Sequence, residues 1–342
     1  MNFGSLVSAG RLTDFWNVLR EVDPEGVVRE AYQPIRVVVC GSPGAGKRTL
    51  AAVLGARDDA PSDAILDVFD MPDDISVALP AADVYLYVAS QRSTVAQRGH
   101  VQQLLRRPGT VVFVMNVVAS SSQSPPDDDR EAVAALIGLP TTRVARVVAT
   151  DPNSVARELG PSLIQAVPHL ALPLGRRLPV LRDSAATHLI AETARVNAEF
   201  AVVSALPAFV PVFGTLASAG ADMIVLTKNQ IMLLLKLAVL HRRPINNRLQ
   251  VLAEIAPVVG AAFLWRTAAR ALITMLPGPF AVAPRGAVAF VGTYVVGKAG
   301  DYYYRWGQRP SPIVLEGFQH DALAQLESLA PVLARIGKRF RL

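Results

Sequence analysis

The chain has 342 residues, of which 51% are apolar and 18% charged, and its mean hydropathy is +0.32. This composition excludes a disordered chain, and the single cysteine, Cys40, excludes a disulfide framework and a multi-cysteine metal site. The net charge of +6 is uneven, because residues 1–180 carry 17 basic and 19 acidic side chains whereas residues 181–342 carry 17 and 9. The second half is therefore basic and apolar, which favours an anionic partner surface.

The first half alternates between strand-like and helix-like segments. A leader helix is predicted within residues 1–33, and Pro34 follows it. Near-continuous apolar strands separated by helices are typical of a parallel sheet covered on both faces. We therefore expect residues 34–167 to form an α/β domain with a doubly wound, mostly parallel sheet. The predicted strands are 35–40, 64–69, 83–89, 110–116 and 144–149, and the predicted helices are 47–56, 94–107, 129–137 and 153–166.

Prolines mark a boundary after the predicted sheet. Residues 168–182 include Pro168, Pro173 and Pro179, and we interpret this stretch as a linker. Beyond it, residues 183–342 lose the strand pattern, which predicts an all-α hydrophobic domain.

The helical half contains long runs without charge. Residues 200–221 would span about 33 Å as a helix, enough for the hydrocarbon core of a bilayer. Prolines and glycines interrupt this run, and the uncharged runs 271–284 and 286–297 are separated by Arg285. We expect residues 200–306 to anchor the chain to a membrane as a helical hairpin or re-entrant pair. The alternative is an ordinary helical bundle in which these residues form the core.

Further segments of this half carry residues suited to a membrane surface. An apolar helix is predicted over 212–240, and the aromatic cluster 302–306 includes Arg305, a combination typical of the headgroup region. The last predicted helix, 319–339, ends among arginines and a lysine. Those cations either complement the helix dipole or form a basic surface for anionic lipid.

A glycine-rich loop follows the first predicted strand and precedes the next predicted helix. Glycines allow successive backbone N–H groups to face a phosphate, and the helix N-terminus adds partial positive charge. The lysine of such a loop contacts the β- and γ-phosphates of a nucleotide. The seven residues that match the phosphate-binding loop are Gly41, Ser42, Pro43, Gly44, Ala45, Gly46 and Lys47.

The eighth position of this loop departs from the motif. A magnesium-binding hydroxyl is expected there, but Arg48 occupies the position and Thr49 follows one residue late. A guanidinium cannot ligate a cation, and two unit charges about 4 Å apart interact by about 4 kcal/mol at an effective dielectric constant of about 20. We therefore expect Arg48 to weaken Mg²⁺ binding or to replace the charge of the metal.

A resemblance to a known family is carried by the loop and by four further segments: the leader helix up to Pro34, and residues 192–199, 205–230 and 292–297. With these segments, the chain resembles the bacterial Era-like P-loop GTPases that carry a C-terminal YcjF-type hydrophobic domain. The resemblance covers nearly the whole chain. It implies a P-loop fold in the first half, binding of GTP or GDP, and a membrane-associated helical domain.

Several motifs of that family are degenerate here. The segment that aligns with the magnesium-and-switch motif, 70–73, keeps Asp70 but has Asp73 in place of glycine. The segment that aligns with the guanine motif keeps Asn116 but has Ala119 in place of the carboxylate, which should remove most of the preference for guanine and leaves ATP or ADP as alternative ligands. About nine residues separate the loop helix from the next strand, too few for the first switch.

These departures predict a pseudoGTPase with little or no hydrolysis. We predict that the seven loop residues, together with Arg48, Thr49, Asp70 and Asn116, bind the nucleotide, and we predict no catalytic residue and no metal ligand. The expected role is a scaffold or regulator at the cytoplasmic face of a membrane.

The partners expected for such a protein are membrane lipids and either a competent GTPase of the same family or a second copy. Two alternatives remain, an active GTPase or other nucleotide hydrolase that remodels or gates a membrane, and a soluble helical interaction protein. Nucleic acid is not an expected partner, since the positive charge is diluted through apolar helices.

Overall fold

The computed structural model describes residues 22–55, 65–72, 78–90, 95–117, 128–204, 221–243, 245 and 284–339. The chain divides into two compact units. The sheet unit comprises Glu30–His188, and the helical unit comprises Met1–Arg29 together with Leu189–Leu342. Several predicted features lie outside these ranges, among them residues 1–21 of the leader segment, Asp73 and Ala119.

The sheet unit contains five parallel strands in the order β2-β1-β3-β4-β5. This confirms the α/β class and the five predicted strands, each within two residues of its expected ends. Every residue of 37–40 and 84–89 is buried, as expected for strands covered on both faces. The strands are β1 (Arg36–Gly41), β2 (Ile65–Asp70), β3 (Val84–Ser90), β4 (Thr110–Asn116) and β5 (Val144–Val147).

Helices connect the strands and cover the sheet. The leader helix is present over its C-terminal part, and the four helices predicted between or after the strands are confirmed. The leader helix is α1 (Pro24–Tyr32), whose residues up to Arg29 belong to the helical unit. The helical segments of the sheet unit that follow are α2 (Lys47–Gly55), α3 (Val95–Leu105), α4 (Asp128–Ile137), α5 (Pro152–Ser154), a π-helical stretch (Val155–Leu159), α6 (Gly160–Ala166) and α7 (Ala171–Arg177).

Large aromatic side chains form the core between the sheet and its helices. Tyr85, Tyr87 and Phe113 are essentially inaccessible to solvent, and the rings of Tyr87 and Phe113 stack with centroids 5.6 Å apart. The hydroxyl of Tyr87 lies 2.8 Å from Nδ1 of His100 on α3, so the polar end of this buried ring is satisfied. His100 is therefore a core histidine of this unit.

The stretch 168–182 differs from the linker expected there. Short 3₁₀ turns, Pro168–Leu170 and Pro179–Leu181, flank α7, and the side chains of Leu172, Leu174 and Leu178 among others are buried. Pro168 and Pro179 each stand at the first position of a helical turn, where the missing N–H removes no hydrogen bond. The prolines therefore start helical turns here instead of marking an open connection.

The described part of the helical unit consists of long helices. Two of them run further than expected, because α10 continues through the aromatic cluster at 302–306 and α11 begins seven residues before the predicted start at 319. The helices are α8 (Arg182–Val203), whose residues from Leu189 onward belong to this unit, α9 (Ala221–Leu240), α10 (Pro284–Trp306) and α11 (Pro312–Arg339).

A buried polar network joins α8, α9 and α10 inside this unit. Asn197 and Thr293 are completely buried, and Nδ2 of Asn197 donates to Oγ1 of Thr293 at 2.9 Å. Gln230 donates to the same hydroxyl at 3.1 Å, and Asn229 donates to Oδ1 of Asn197 at 2.7 Å. Such a network fixes the relative register of the helices, because sliding any one of them leaves amide groups unpaired.

No helix within the described ranges has the length and apolar character needed to cross a membrane. The uncharged residues 205–220 and 271–283, on which the expected hairpin depends, lie outside those ranges.

Candidate functional site

The glycine-rich loop lies at the carboxyl end of β1, where the direction of the sheet changes. The chain passes from β1 to β2 on one side and then to β3 on the other side of β1. In open parallel sheets, ligands bind in the crevice outside the carboxyl ends of the strands at this reversal point. The loop therefore occupies the position in the sheet unit where a ligand is expected.

Three glycines give the loop its shape. Gly41, Gly44 and Gly46 have φ angles of 145°, 77° and 93°, which side-chain-bearing residues rarely adopt. A Cβ on Gly41 would overlap the carbonyl oxygen of Val88 on β3, and one on Gly46 would overlap the amide of Asn116. The loop is thus pressed against β3 and the end of β4, whereas Gly44 faces open space.

Lys47 is the first residue of α2 and is almost entirely buried, with 4% of its side chain exposed. Its Nζ lies 2.7 Å from Oδ1 of Asp70 at the end of β2, and it also donates to the carbonyl of Ser42 within the loop. Asp70 is half exposed. The structure therefore brings together Lys47 and Asp70, which the sequence had assigned to two separate motifs.

The electrostatics of this pair follow from its geometry. The hydrogen bond from Lys47 and then the charge of Lys47 hold the pKa of Asp70 below its usual range, and the charge of Arg48 acts in the same direction. The pKa of Cys40, directly before the loop, is shifted in the opposite direction, because burial raises the pKa of its thiol to about 12. The thiol is therefore no nucleophile, and Lys47 and Asp70 are the charged groups that the loop and β2 hold in contact.

Asn116 clamps the loop rather than pointing into open space. Its Nδ2 donates to the carbonyl of Ala45 at 3.0 Å, and its Oδ1 accepts from the backbone N–H of Ala149 at 3.0 Å. The side chain of Asn116 thus ties the loop to the segment after β5. The nucleotide contact expected of Asn116 stays a prediction, and the structure shows that its side chain holds backbone groups on both sides.

The segment after β5 is a turn held by local hydrogen bonds. Asp151 caps α5 because its side chain accepts a hydrogen bond from the backbone N–H of Asn153. The hydroxyl of Ser154 accepts a hydrogen bond from the backbone N–H of Val148. These bonds explain why β5 stops at Val147, two residues before the predicted end. Sequence reasoning missed Ser154, although the Asp-Pro pair before it is a recognisable helix start.

The loop and its surroundings fit an anionic ligand. Because α2 begins at Lys47, its first backbone N–H groups have no acceptor within the helix. The hydroxyl oxygen of Ser42 is buried and has no hydrogen-bond partner among the described residues. Together with the ammonium group of Lys47, these donors match phosphate oxygens, which accept several hydrogen bonds at once.

The same surroundings do not fit Mg²⁺. Arg48 and Thr49 are exposed at the start of α2, and the carboxylate of Asp70 is already bonded to Lys47. Magnesium requires several oxygen ligands in an octahedral arrangement. The described residues contain no group of three or more histidine, cysteine or acidic side chains that could hold a metal ion.

No protein-family model matches the chain, and no curated protein sequence matches it.

Proposed function

We propose that the sheet unit is a degenerate GTPase-like P-loop domain that binds a nucleotide polyphosphate with little or no hydrolysis. The observation that carries this proposal is the positive-φ loop at the reversal point of the sheet, which leads into a helix whose first residue, Lys47, pairs with Asp70. The strand order 2-1-3-4-5 is one of the common orders of doubly wound sheets, so it supports a doubly wound sheet in this unit.

Weak hydrolysis is expected from what surrounds the loop. Phosphoryl transfer requires a metal ion, a positioned water and groups that stabilise the developing charge. Arg48 takes the place of the metal-binding hydroxyl, and Asp70 is engaged by Lys47. The residues that would form the first switch are missing from the sequence. We therefore propose a scaffold or regulator that acts with a competent GTPase of the same family or with a second copy.

Nucleotide binding and turnover of the full-length protein test this proposal. Fluorescent GDP and ADP analogues should bind, Lys47→Ala should weaken binding by at least about tenfold, and phosphate release should stay at background. Arg106→Ala is the matched control, since Arg106 is an exposed cation in the turn before β4, at the other edge of the sheet. Steady turnover that Lys47→Ala abolishes would establish the alternative, an active nucleotide hydrolase. Absence of any nucleotide binding would contradict the proposal.

For the helical unit, we propose contact with the cytoplasmic face of a membrane through the turn between α10 and α11. Trp306 is 63% exposed and Ile313 is 79% exposed, the two highest values among the large apolar side chains described. Arg309 is exposed beside them, the side chain of Arg305 is partly exposed and lies 3.7 Å from that of Asp301, and no acidic residue occurs between 302 and 315. Exposed aromatic and aliphatic side chains flanked by arginines suit an anionic headgroup region.

Co-sedimentation with lipid vesicles tests this second part. The full-length protein should pellet with vesicles rich in phosphatidylglycerol and much less with pure phosphatidylcholine. The double variant Trp306→Ser/Ile313→Ser should lose most of this binding, whereas Leu136→Ser, which replaces an exposed apolar residue of α4, should not. Protein that stays in the supernatant with both lipids would contradict the membrane role and favour the soluble interaction protein.

A further inference from the structure

Arg48 stands where a metal-binding hydroxyl is expected, and its surroundings show what it does instead. It is the second residue of α2, directly after Lys47, and its side chain is exposed at the open edge of the sheet. Its charge reaches Asp70, whose pKa it lowers together with Lys47. As a residue of the first turn of α2, Arg48 stands beside the backbone N–H groups that would meet a ligand's phosphates.

The charges at the loop are balanced without a metal ion. Three charged residues lie at the loop, namely Lys47, Arg48 and Asp70. Asp70 neutralises the buried ammonium of Lys47 at 2.7 Å, so the charge of Arg48 is the one that can act on a ligand. A divalent cation placed beside Arg48 would be repelled by it, and Asp70 would offer it a single oxygen, Oδ2, because Oδ1 is bonded to Lys47. The arrangement therefore disfavours a metal and favours an anion.

A guanidinium has the chemistry to replace a cation at a phosphate group. It carries a permanent charge and five N–H donors in a planar fork that matches two phosphate oxygens. On the first turn of α2 it would add this charge to the backbone N–H groups and the positive end of the helix.

Resting on the proposed function, we propose that this site binds its polyphosphate ligand without a divalent cation, with Arg48 supplying the positive charge that Mg²⁺ supplies in other P-loop proteins. The ligand class is a metal-free di- or triphosphate group, either on a nucleoside or as inorganic pyrophosphate.

The experiment measures affinity of the full-length protein for fluorescent GDP and ADP analogues and, by competition, for pyrophosphate. Each titration is run once with excess EDTA and once with excess MgCl₂. The wild-type affinity in EDTA should be at least as high as the affinity in MgCl₂, to within about threefold. A pyrophosphate affinity comparable to that for the nucleotides would identify the phosphate group alone as the ligand, whereas much weaker competition would show that the nucleoside contributes.

Variants of Arg48 separate its charge from its position. Arg48→Ser restores the hydroxyl of the motif, so binding in EDTA should fall at least about tenfold and should be regained with MgCl₂. Arg48→Ala should lose binding in both media, and Arg48→Lys should retain metal-independent binding. Because Arg48 is exposed, these variants should unfold like the wild type in thermal denaturation, which checks that the protein is intact.

Three results would overturn the inference. Wild-type binding only with MgCl₂ would overturn it while leaving the proposed nucleotide-binding function standing. Wild-type binding in EDTA that Arg48→Ala and Arg48→Ser leave unchanged would show that another group supplies the charge. Absence of binding in both media, with nucleotides and pyrophosphate alike, would remove the proposed function and this inference with it.

Discussion

The two units place their polar side chains in opposite ways. In the sheet unit, polar groups collect at the carboxyl edge of the strands, where Asp70 is half exposed and Arg48 is exposed. In the helical unit, Asn197 and Thr293 are completely buried and bonded to one another. The comparison shows that exposure and unused hydrogen-bonding capacity, rather than the number of polar residues, distinguish a candidate binding site from a packing device.

The helical unit satisfies its polar groups internally. The hydroxyl of Thr293 accepts from two amides, and a second pair joins His241 to Asp301 at 2.7 Å between the end of α9 and α10. Small residues let the helices approach, since a Cβ on Gly300 would overlap the side chain of Leu234. These contacts hold α8, α9 and α10 in one register, whereas the donors of the loop in the sheet unit remain available for a ligand.

The largest effect is expected where the loop meets β3. Gly41→Ala places a Cβ against the carbonyl oxygen of Val88, a backbone atom that cannot move aside, at a φ of 145°. We expect a loss of at least about 3 kcal/mol in the stability of the sheet unit. Hydrogen exchange followed by mass spectrometry on peptides from β1 and β3 measures it.

Gly44→Ala is the matched control for that substitution. It has a φ of 77° but open space around the new methyl group, so only the backbone strain of about 1–2 kcal/mol should appear. Equal losses for both variants would show that Gly41 is not pressed against β3.

The next effect concerns the buried network of the helical unit. Thr293→Val keeps the side-chain volume but leaves the amides of Asn197 and Gln230 without their acceptor. We expect a loss of about 2 kcal/mol, because unpaired buried donors cost about 1–3 kcal/mol each and partly relax. Hydrogen exchange in α10 peptides reports it.

The control here is Thr193→Val, since the hydroxyl of Thr193 bonds only the carbonyl of Leu189 in its own helix. Its cost should stay below about 1 kcal/mol. If the two threonine variants were equivalent, the network would contribute nothing to the packing of the helices.

A smaller effect is expected at the clamp. Asn116→Ala removes the bonds to Ala45 and Ala149, so the loop should lose about 1–2 kcal/mol of local stability and bind polyphosphate more weakly. Exchange rates in loop peptides and affinity for a GDP analogue measure the two consequences. Asn153→Ala, which changes an exposed amide on α5, should affect neither. A loop that stays equally protected without the clamp would contradict the positioning role of Asn116.

The smallest effect is the pH dependence of the Lys47–Asp70 pair. The pKa of Asp70 lies below its ordinary value of 3.8, first because of the hydrogen bond from Lys47 and then because of its charge. A carboxyl group with a depressed pKa stabilises the folded state above its unfolded-state pKa, and this stabilisation disappears as the pH falls through the folded-state pKa. Asp70→Asn should therefore be less stable than the wild type at neutral pH, and this difference should begin to shrink near pH 3.8 and disappear as the pH falls through the lower folded-state pKa.

Urea denaturation at a series of pH values measures this difference. In the Lys47→Ala background the same substitution should produce a much smaller pH-dependent difference, because the hydrogen-bond partner of the carboxylate is gone and only the charge of Arg48 still acts on it. A wild-type difference that persists at acidic pH would show that Asp70 stabilises the fold in another way.

Much of the sheet unit was predictable from the sequence. Apolar β-branched runs such as 36–40 specify buried strands, and glycines at positions 41, 44 and 46 specify a loop with positive φ angles before a helix. These features are local, because strand propensity, helix starts and glycine conformations depend on neighbouring residues. The strand order was beyond such reasoning.

Only the tertiary structure decided which residues of the loop region act together. It joined Lys47 to Asp70, although 22 residues separate them in the chain, and it showed that Asn116 ties the loop to the segment after β5. It also converted the proline-rich stretch at 168–182 from an expected linker into packed helical turns. The physical reason is the same in each case: the pairing of a polar group and the burial of a proline-flanked turn depend on segments distant in sequence, which composition and periodicity do not describe.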